Sequence, residues 1–407
     1  MKLLLVVILI VFILKASNVN AYGESDSQGN PCSLERESHN LINLVRMFPV
    51  QYKSSFMNGY SGLSSVLNSY KAVTPLYIDN VLNRMSKAHS FDMANSNCFS
   101  HNDCNGTAIN QRFQKWGITN TWGENIAAGN KDGITTNNQL ICDSSSGNKV
   151  CSGDNSGSDG HRKNIMSSNF QFLGVGYYST STSTYKNYWT QDFSGSGSIL
   201  PTNPIYSGYH TFYPSTTIPK FIVMFYSKTQ SLSSMSIVFV GGSTFPMTLT
   251  YGNSSYAAYT YTPTSFTVSC QQYYFQGNTT NTSTFRYPDT GYLQVSKDTT
   301  CSGWSITTSV SIIANLNLGL KTNSETKIET ETETETETPK STNPPPRKWN
   351  WFWDYKLLSN NNYQEEFQQQ QEQQQQQDDD QFYNSSSNLI ETSFLIFFVI
   401  LILKLLI

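Results

Sequence analysis

Gly160-His161-Arg162-Lys163-Asn164-Ile165, followed by Gly174-Val175-Gly176-Tyr177 and Tyr188-Trp189-Thr190-Gln191-Asp192-Phe193, is the stretch on which the reading of this chain turns. Its last two pieces lie in Phe170–Tyr178 and Asn187–Phe193, runs rich in aromatic, apolar and β-branched residues that read as strands. Upstream the period changes from two to 3.6. Leu34, Leu41, Ile42 and Val45 fall on one helical face, with Ser33 placed to cap the start. Ile78, Val81, Leu82, Met85 and Ala88 keep the same stripe and predict a second helix from Ile78 to about Met93, with Asp79 in its first turn. A Gly/Ser-rich loop, Asn58 to Ser65, lies between the two. Helices first and strands late predict an α+β layered domain over Ser33 to Ser194.

Two further motifs precede the opening stretch. One is His89-Ser90-Phe91-Asp92-Met93-Ala94, running on to Phe99-Ser100-His101, and the other is Gly123-Glu124-Asn125-Ile126-Ala127. Each alone is a weak signal. In this order, with the terminal strand, they resemble the CAP domain (the SCP-like, pathogenesis-related-1, Allergen V5 superfamily), in wording closest to its microbial branch. The resemblance covers Leu34 to Phe193 and implies an α-β-α sandwich with an open cleft. It also implies that two histidines and two acids line that cleft. His101, after Phe-Ser, matches the first histidine, Glu124 the glutamate of Gly-Glu-Asn, and His161 the second histidine. Many members carry the other acid in Trp-x-x-Glu. Here Leu140-Ile141-Cys142-Asp143 stands nearest, which makes Asp143 the fourth candidate. Arg162-Lys163-Asn164 replaces the family's Tyr-Thr-Gln after His161.

Two imidazoles and one or two carboxylates in a cleft support two chemistries. They can hold a divalent ion such as zinc, here on His101, Glu124 and His161. They can equally form a hydrogen-bonded cluster in which carboxylates set the histidine tautomers. Glu124 has a third reading, an acid beside a helix start. His89 lies on the apolar stripe and reads as a satisfied core histidine, while His39 and His210 have no partner motif. No catalytic residue is assigned, because the chain has neither Gly-x-Ser-x-Gly nor His-Glu-x-x-His. The resemblance implies an extracellular, non-enzymatic binding or signalling module for a lipid, sterol, peptide or glycan. The alternatives are a metal-assisted hydrolase using the His/Glu cleft, and an adhesion or structural surface protein.

Beyond the first domain charge nearly vanishes. From about Leu200 to Leu320, runs such as Lys220–Tyr226, Ser236–Val240, Met247–Tyr251 and Ser265–Ser269 predict a small all-β sandwich. Residues 321–383 read as a disordered stalk of alternating Glu-Thr, a proline run, the aromatic island Trp349 to Trp353 and a glutamine tract. The ends carry addresses. Met1-Lys2, the apolar run Leu3 to Leu14 and Val19-Asn20-Ala21 predict a signal peptide over 1–21. The run of about 12 residues is short of the roughly 20 that a spanning helix needs. Residues 384–407 predict a GPI-attachment signal with anchor at Asn384 or Ser385, its rival being a tail helix. Seven cysteines suit an exported chain. Cys98 with Cys104, Cys142 with Cys151 and Cys270 with Cys301 are candidate disulfides, leaving Cys32 over. Asn105, Asn253, Asn278 and Asn281 are glycosylation acceptors. A formal net charge of −3 and no basic patch point away from nucleic acid.

Overall fold

The structure, a computed structural model, describes residues 30–144, 149–196, 201–267 and 270–295. The expected export signal, stalk, aromatic island, anchor signal and Cys301 lie outside them. Helices α1 (Ser33–Met47), α2 (Pro49–Phe56), α3 (Asn80–Asn95), α4 (Ile109–Lys115), α5 (Gly133–Cys142) and α6 (Gly160–Met166) surround a four-stranded sheet. Its strands are β1 (Tyr77–Ile78), β2 (Trp122–Ala128), β3 (Phe172–Ser179) and β4 (Asn187–Ser194), in the order β1-β3-β4-β2. β1 runs parallel to β3, and the other pairs are antiparallel. Alternation along β3 divides the layers. Leu173, Val175 and Tyr177 enter the core shared with α1, whereas Phe172 joins Leu82 and Met85 of α3 on the other face. This is the α-β-α sandwich.

The helix read as starting at Ile78 starts at Asn80. Ile78 belongs to β1, and Asp79 is the N-cap, its carboxylate accepting from the Val81 and Leu82 amides at 2.8 and 2.9 Å. α1 is capped by Cys32, not Ser33. The Cys32 amide donates to Glu35 at 2.7 Å, and the Ser33 hydroxyl instead accepts from Tyr209. Glu124 lies in mid-strand in β2, so the helix-start reading of that acid does not hold. α3 lies almost on the backbone of β3. A Cβ at Gly174 or Gly176 would run into the backbone of Leu82 or Ser86, and the Ser90 hydroxyl donates to the Gly176 carbonyl at 3.0 Å.

Two more antiparallel sheets follow. One has the order β5 (Ile205–Thr211), β6 (Lys220–Tyr226), β10 (Tyr256–Tyr261), β9 (Thr248–Asn253). The other has β12 (Thr284–Tyr287), β11 (Gln271–Thr279), β7 (Leu232–Phe239), β8 (Thr244–Pro246), with β13 (Leu293–Val295) also on β11. The run Ser265–Ser269 is not a strand in its described part. Residues 265–267 carry no regular secondary structure, and Phe266 packs on the sandwich core. β6 is buried on both faces. Phe221, Val223 and Phe225 enter the sandwich core, and Ile222 and Met224 enter the core of α1. The all-β part and the α-β-α part therefore share α1 as a common layer.

That sharing explains how every residue of the run Glu35-Arg36-Glu37-Ser38-His39-Asn40 in this helix is buried. Glu35 pairs with Lys87 of α3 at 3.2 Å, both side chains fully buried, and accepts from the Tyr177 amide. Glu37 accepts from the Gly133 amide at 2.9 Å and from the Thr211 hydroxyl at 2.6 Å. The Asn40 amide donates to the Ile222 carbonyl, and Asn43 bonds Leu76 and Ser207. Arg46 donates to the carbonyls of Thr74, Ile165 and Ser167. His39 contacts the Leu76 carbonyl at 2.8 Å, and His210 meets the Tyr273 hydroxyl at 2.8 Å. Both histidines are core struts.

Gly176→Ala should cost about 1–3 kcal/mol through overpacking against α3, read as a lowered denaturation midpoint. Acid should also destabilise the fold. Burial lowers His39 to about 4 and His210 to about 3. The unfolded chain protonates both near pH 6.5 while the folded chain does not, so stability is lost as pH falls from there toward those values. Burial pushes Glu37 up to about 7, so between about 4.5 and 7 it acts the other way. Urea melts at pH 6 and pH 5 should show a shallower acid slope for His210→Phe. One titrating group accounts for about 1.4 kcal/mol per pH unit.

Candidate functional site

The acids and histidines expected in the cleft form two separate pairs, on either side of the edge strand β2. Successive residues of a strand face opposite ways, and Glu124 and Asn125 do so here. Glu124 points toward α3 and α4. Its Oε1 accepts from His101 Nδ1 at 2.8 Å, and its Oε2 is paired with the Arg112 guanidinium. Asn125 points toward α6, where its amide donates to the His161 carbonyl at 3.2 Å. His161 Nδ1 bonds Asp143 Oδ1 at 2.7 Å, and Asp143 Oδ2 accepts from the His161 and Arg162 amides. Asp143 sits at φ 51° just past the end of α5, a left-handed turn that aims its carboxylate at the start of α6.

The two rings are held in the same way. An ionised carboxylate can only accept, so each Nδ1 carries a hydrogen directed at its acid, and Nε2 is the ring nitrogen that the acid does not engage. The His101 side chain is 49% exposed and that of His161 31%, whereas Glu124 is fully buried and Asp143 only 11% exposed. The site thus presents imidazole edges to solvent and hides the acids behind them.

Behind His101 lies a network that no short motif announces. Arg112 Nη1 donates to Asp103 at 2.6 Å, to the His101 carbonyl at 3.0 Å and toward His89 Nδ1 at 3.0 Å. His89 Nε2 faces the Ser100 carbonyl at 3.0 Å. His89 Nδ1 also lies 3.1 Å from Asp103 Oδ1, so the guanidinium and the Asp103 carboxylate meet at this ring. Directly across from Glu124 in the ladder stands Asp192, fully buried, accepting from Ser86 at 2.7 Å. Burial, and after it the Glu124 charge, hold Asp192 well above the usual carboxylate range. Burial also opposes ionisation of Glu124, but His89, the His101 hydrogen bond and Arg112 outweigh it and keep Glu124 ionised. One proton, on Asp192, serves the pair.

Among the described residues, the three side chains with ligand atoms within 4.8 Å of one another are His89, Asp92 and Asp103. That cluster is of a kind that can coordinate a divalent ion. The Arg112 guanidinium already stands between His89 and Asp103, so a metal there would have to displace it. The expected zinc set of His101, Glu124 and His161 does not form such a group. Glu124 has both oxygens engaged, by His101 and Arg112, and its side chain is fully buried, so it is not presented to a cleft ion. Arg162-Lys163-Asn164, the departure from the family pattern, locks α6 in place. Buried Arg162 donates to the Ile141, Cys142 and Ser152 carbonyls and to Asp154, while Asn164 donates to the Glu124 carbonyl and to Asn125. The disulfides Cys98–Cys104 and Cys142–Cys151 are formed, Cys270 is disulfide-bonded, and Cys32 is a free, buried thiol pushed up to about 12 by burial. Of the glycosylation acceptors, Asn105, Asn253 and Asn281 are exposed and Asn278 is half-buried.

Arg112→Met should destabilise the protein by about 3–5 kcal/mol, since it strands buried Glu124. Asp192→Asn, which imitates the protonated acid, should change stability by no more than about 1 kcal/mol. Denaturant titration at pH 7 compares the two.

Comparison with known proteins gives a family match over the α-β-α part. Residues 39–193 match the family model described as CAP, the cysteine-rich secretory protein family. The uncharacterized protein YkwD of Bacillus subtilis (strain 168) is 32% identical over 134 residues, which are 33% of this chain and 44% of that protein. The chain therefore spans under half of that relative's length. Among solved structures, an extracellular SCP-domain protein of Bacillus anthracis is 28% identical over 30% of this chain and 34% of its own, with a TM-score of 0.23. An outer surface protein of Borrelia burgdorferi is 19% identical over 30% of this chain and 77% of its own, also at TM-score 0.23. With its α-β-α layers, its Gly-Glu-Asn strand and the family match, the segment 39–193 of this chain is a CAP domain.

Proposed function

We propose that this CAP protein is an exported, surface-held binding module whose ligand is met by the Nε2 edges of His101 and His161. The observation that carries the reading is the state of the two acids. Glu124 and Asp143 have their oxygens engaged by His101, Arg112, His161 and the start of α6. A carboxylate so saturated orients a ring. It is poorly placed to take a proton from water or to bind a hydrolytic metal. This disfavours the metal-assisted hydrolase and leaves a rim of two imidazoles whose Nε2 atoms are available for hydrogen bonding to a ligand. The ligand classes are those the family likeness suggests: lipid, sterol, peptide or glycan. No helix among the described residues is long and apolar enough to cross a membrane. The surface placement rests on the N-terminal signal, the C-terminal anchor pattern and the paired cysteines.

Thermal-shift screening of the full chain against panels of the four classes should find stabilisation without product formation. His101→Ala and His161→Ala should each weaken that ligand by about tenfold, the equivalent of about 1.4 kcal/mol. Turnover of an ester, peptide or glycan that disappears in His101→Ala would replace the binding reading with the hydrolase.

A further inference from the structure

Both His–carboxylate pairs are built on small covalent rings. Cys98–Cys104 closes a seven-residue ring that contains His101 itself. The rest of that ring is pinned from inside. The Ser100 carbonyl faces His89, the His101 carbonyl and Asp103 face Arg112, and the Cys104 amide donates to Asp92 at 2.7 Å. The ring belongs to the connection between α3 and α4, with no helix or strand of its own. On the other side of β2, Cys142–Cys151 closes a ring whose first inner residue is Asp143, the partner of His161. This second ring is clamped by buried Arg162 and by the Ser152 hydroxyl, which donates to the Asp143 carbonyl at 2.5 Å.

The rings differ in access. Cys142 and Cys151 are buried, at 1% and 8% exposure, whereas Cys98 and Cys104 are both half-buried. A thiolate must reach a sulfur to open a disulfide, so the ring bearing His101 opens first. Once open, residues 99–103 lose the closure that holds His101 Nδ1 against Glu124, and about half of that side chain already faces solvent.

We propose that the Cys98–Cys104 bond is a redox latch on the binding rim: it holds His101 in register with Glu124 when oxidised and releases it when reduced. The proposal rests on the rim reading of His101 given above. In the opening step a dithiol reductant attacks one sulfur as thiolate, the Cys98–Cys104 bond breaks, and the mixed disulfide is resolved by the second reductant thiol. Two cysteine thiols and one reductant disulfide result, with two electrons and two protons transferred. The rim is then assembled only where the surroundings are oxidising, outside the cell or along the export route.

The test uses the full chain with ¹⁵N-labelled histidine. In the oxidised protein the imidazole Nδ1–H signals of His101 and His161 should be protected from exchange and shifted downfield by their carboxylates. Dithiothreitol, titrated to the point where only the first disulfide opens, should broaden or abolish the His101 signal and speed its exchange at least tenfold. The His161 signal and the core amides of α1 should be unchanged, and the Cys98→Ser, Cys104→Ser double variant should look the same without reductant. Retention of the His101 signal in either sample would overturn the latch. So would global loss of the α1 core signals on opening, which would make the bond a staple of the whole fold. This readout follows one ring alone, so it stands or falls whether or not a ligand of the rim is found.

Discussion

Burial of the polar side of α1 is the constraint on which the rest depends. Removing Glu35, Glu37, His39, Asn40, Asn43 and Arg46 from water is unfavourable unless every one finds a partner. The partners come from nearly everywhere: α3, α5, β3, β5, β6, the segment before β1 and the end of α6. The helix therefore works as an axle with spokes. The apolar residues between the spokes, Leu41, Ile42, Leu44 and Val45, supply the main favourable term through burial. The polar spokes settle which surface each neighbour presents, since a wrong pairing would leave a buried carboxylate or guanidinium unmatched.

The same logic of buried charge shapes the site. Arg112 sits among Glu124, Asp103 and Asp192, and the excess acid is relieved by leaving Asp192 protonated. What reaches the surface is an imidazole edge on each side of β2. Carboxylates hidden inside the protein thus fix the direction in which each ring points at the rim.

The α-β-α layering, the strands β3 and β4, and the pairing of cysteines 98 with 104 and 142 with 151 were legible in the sequence. Periods of two and 3.6 and short cysteine spacings are local signals. His101, Glu124, His161 and Asp143 could be named from motifs. Their grouping into His101 with Glu124 and His161 with Asp143 could not, because it depends on which face of β2 each residue takes. Arg112, Asp103 and Asp192 had no local signal. Arg112 lies on a seven-residue helix too short to show a period, and Asp192 looks like an ordinary strand residue until Glu124 stands opposite it. The shared position of α1 was hidden for a similar reason. A helix buried on all sides but rich in Glu, Arg and Asn imitates a surface helix in sequence.

The two-sided burial of β6 and α1 has an evolutionary consequence. Proteins built from beads on a string can exchange modules by recombination at the linker. Here the break between the α-β-α part and the sandwich falls across paired positions: Glu37 with Thr211, Asn40 with the β6 backbone at Ile222, and Asn43 with Ser207. A crossover there would inherit one half of each pair. Lineages carrying this architecture should pass it on as a single unit, with changes on α1 answered by changes on β5 and β6.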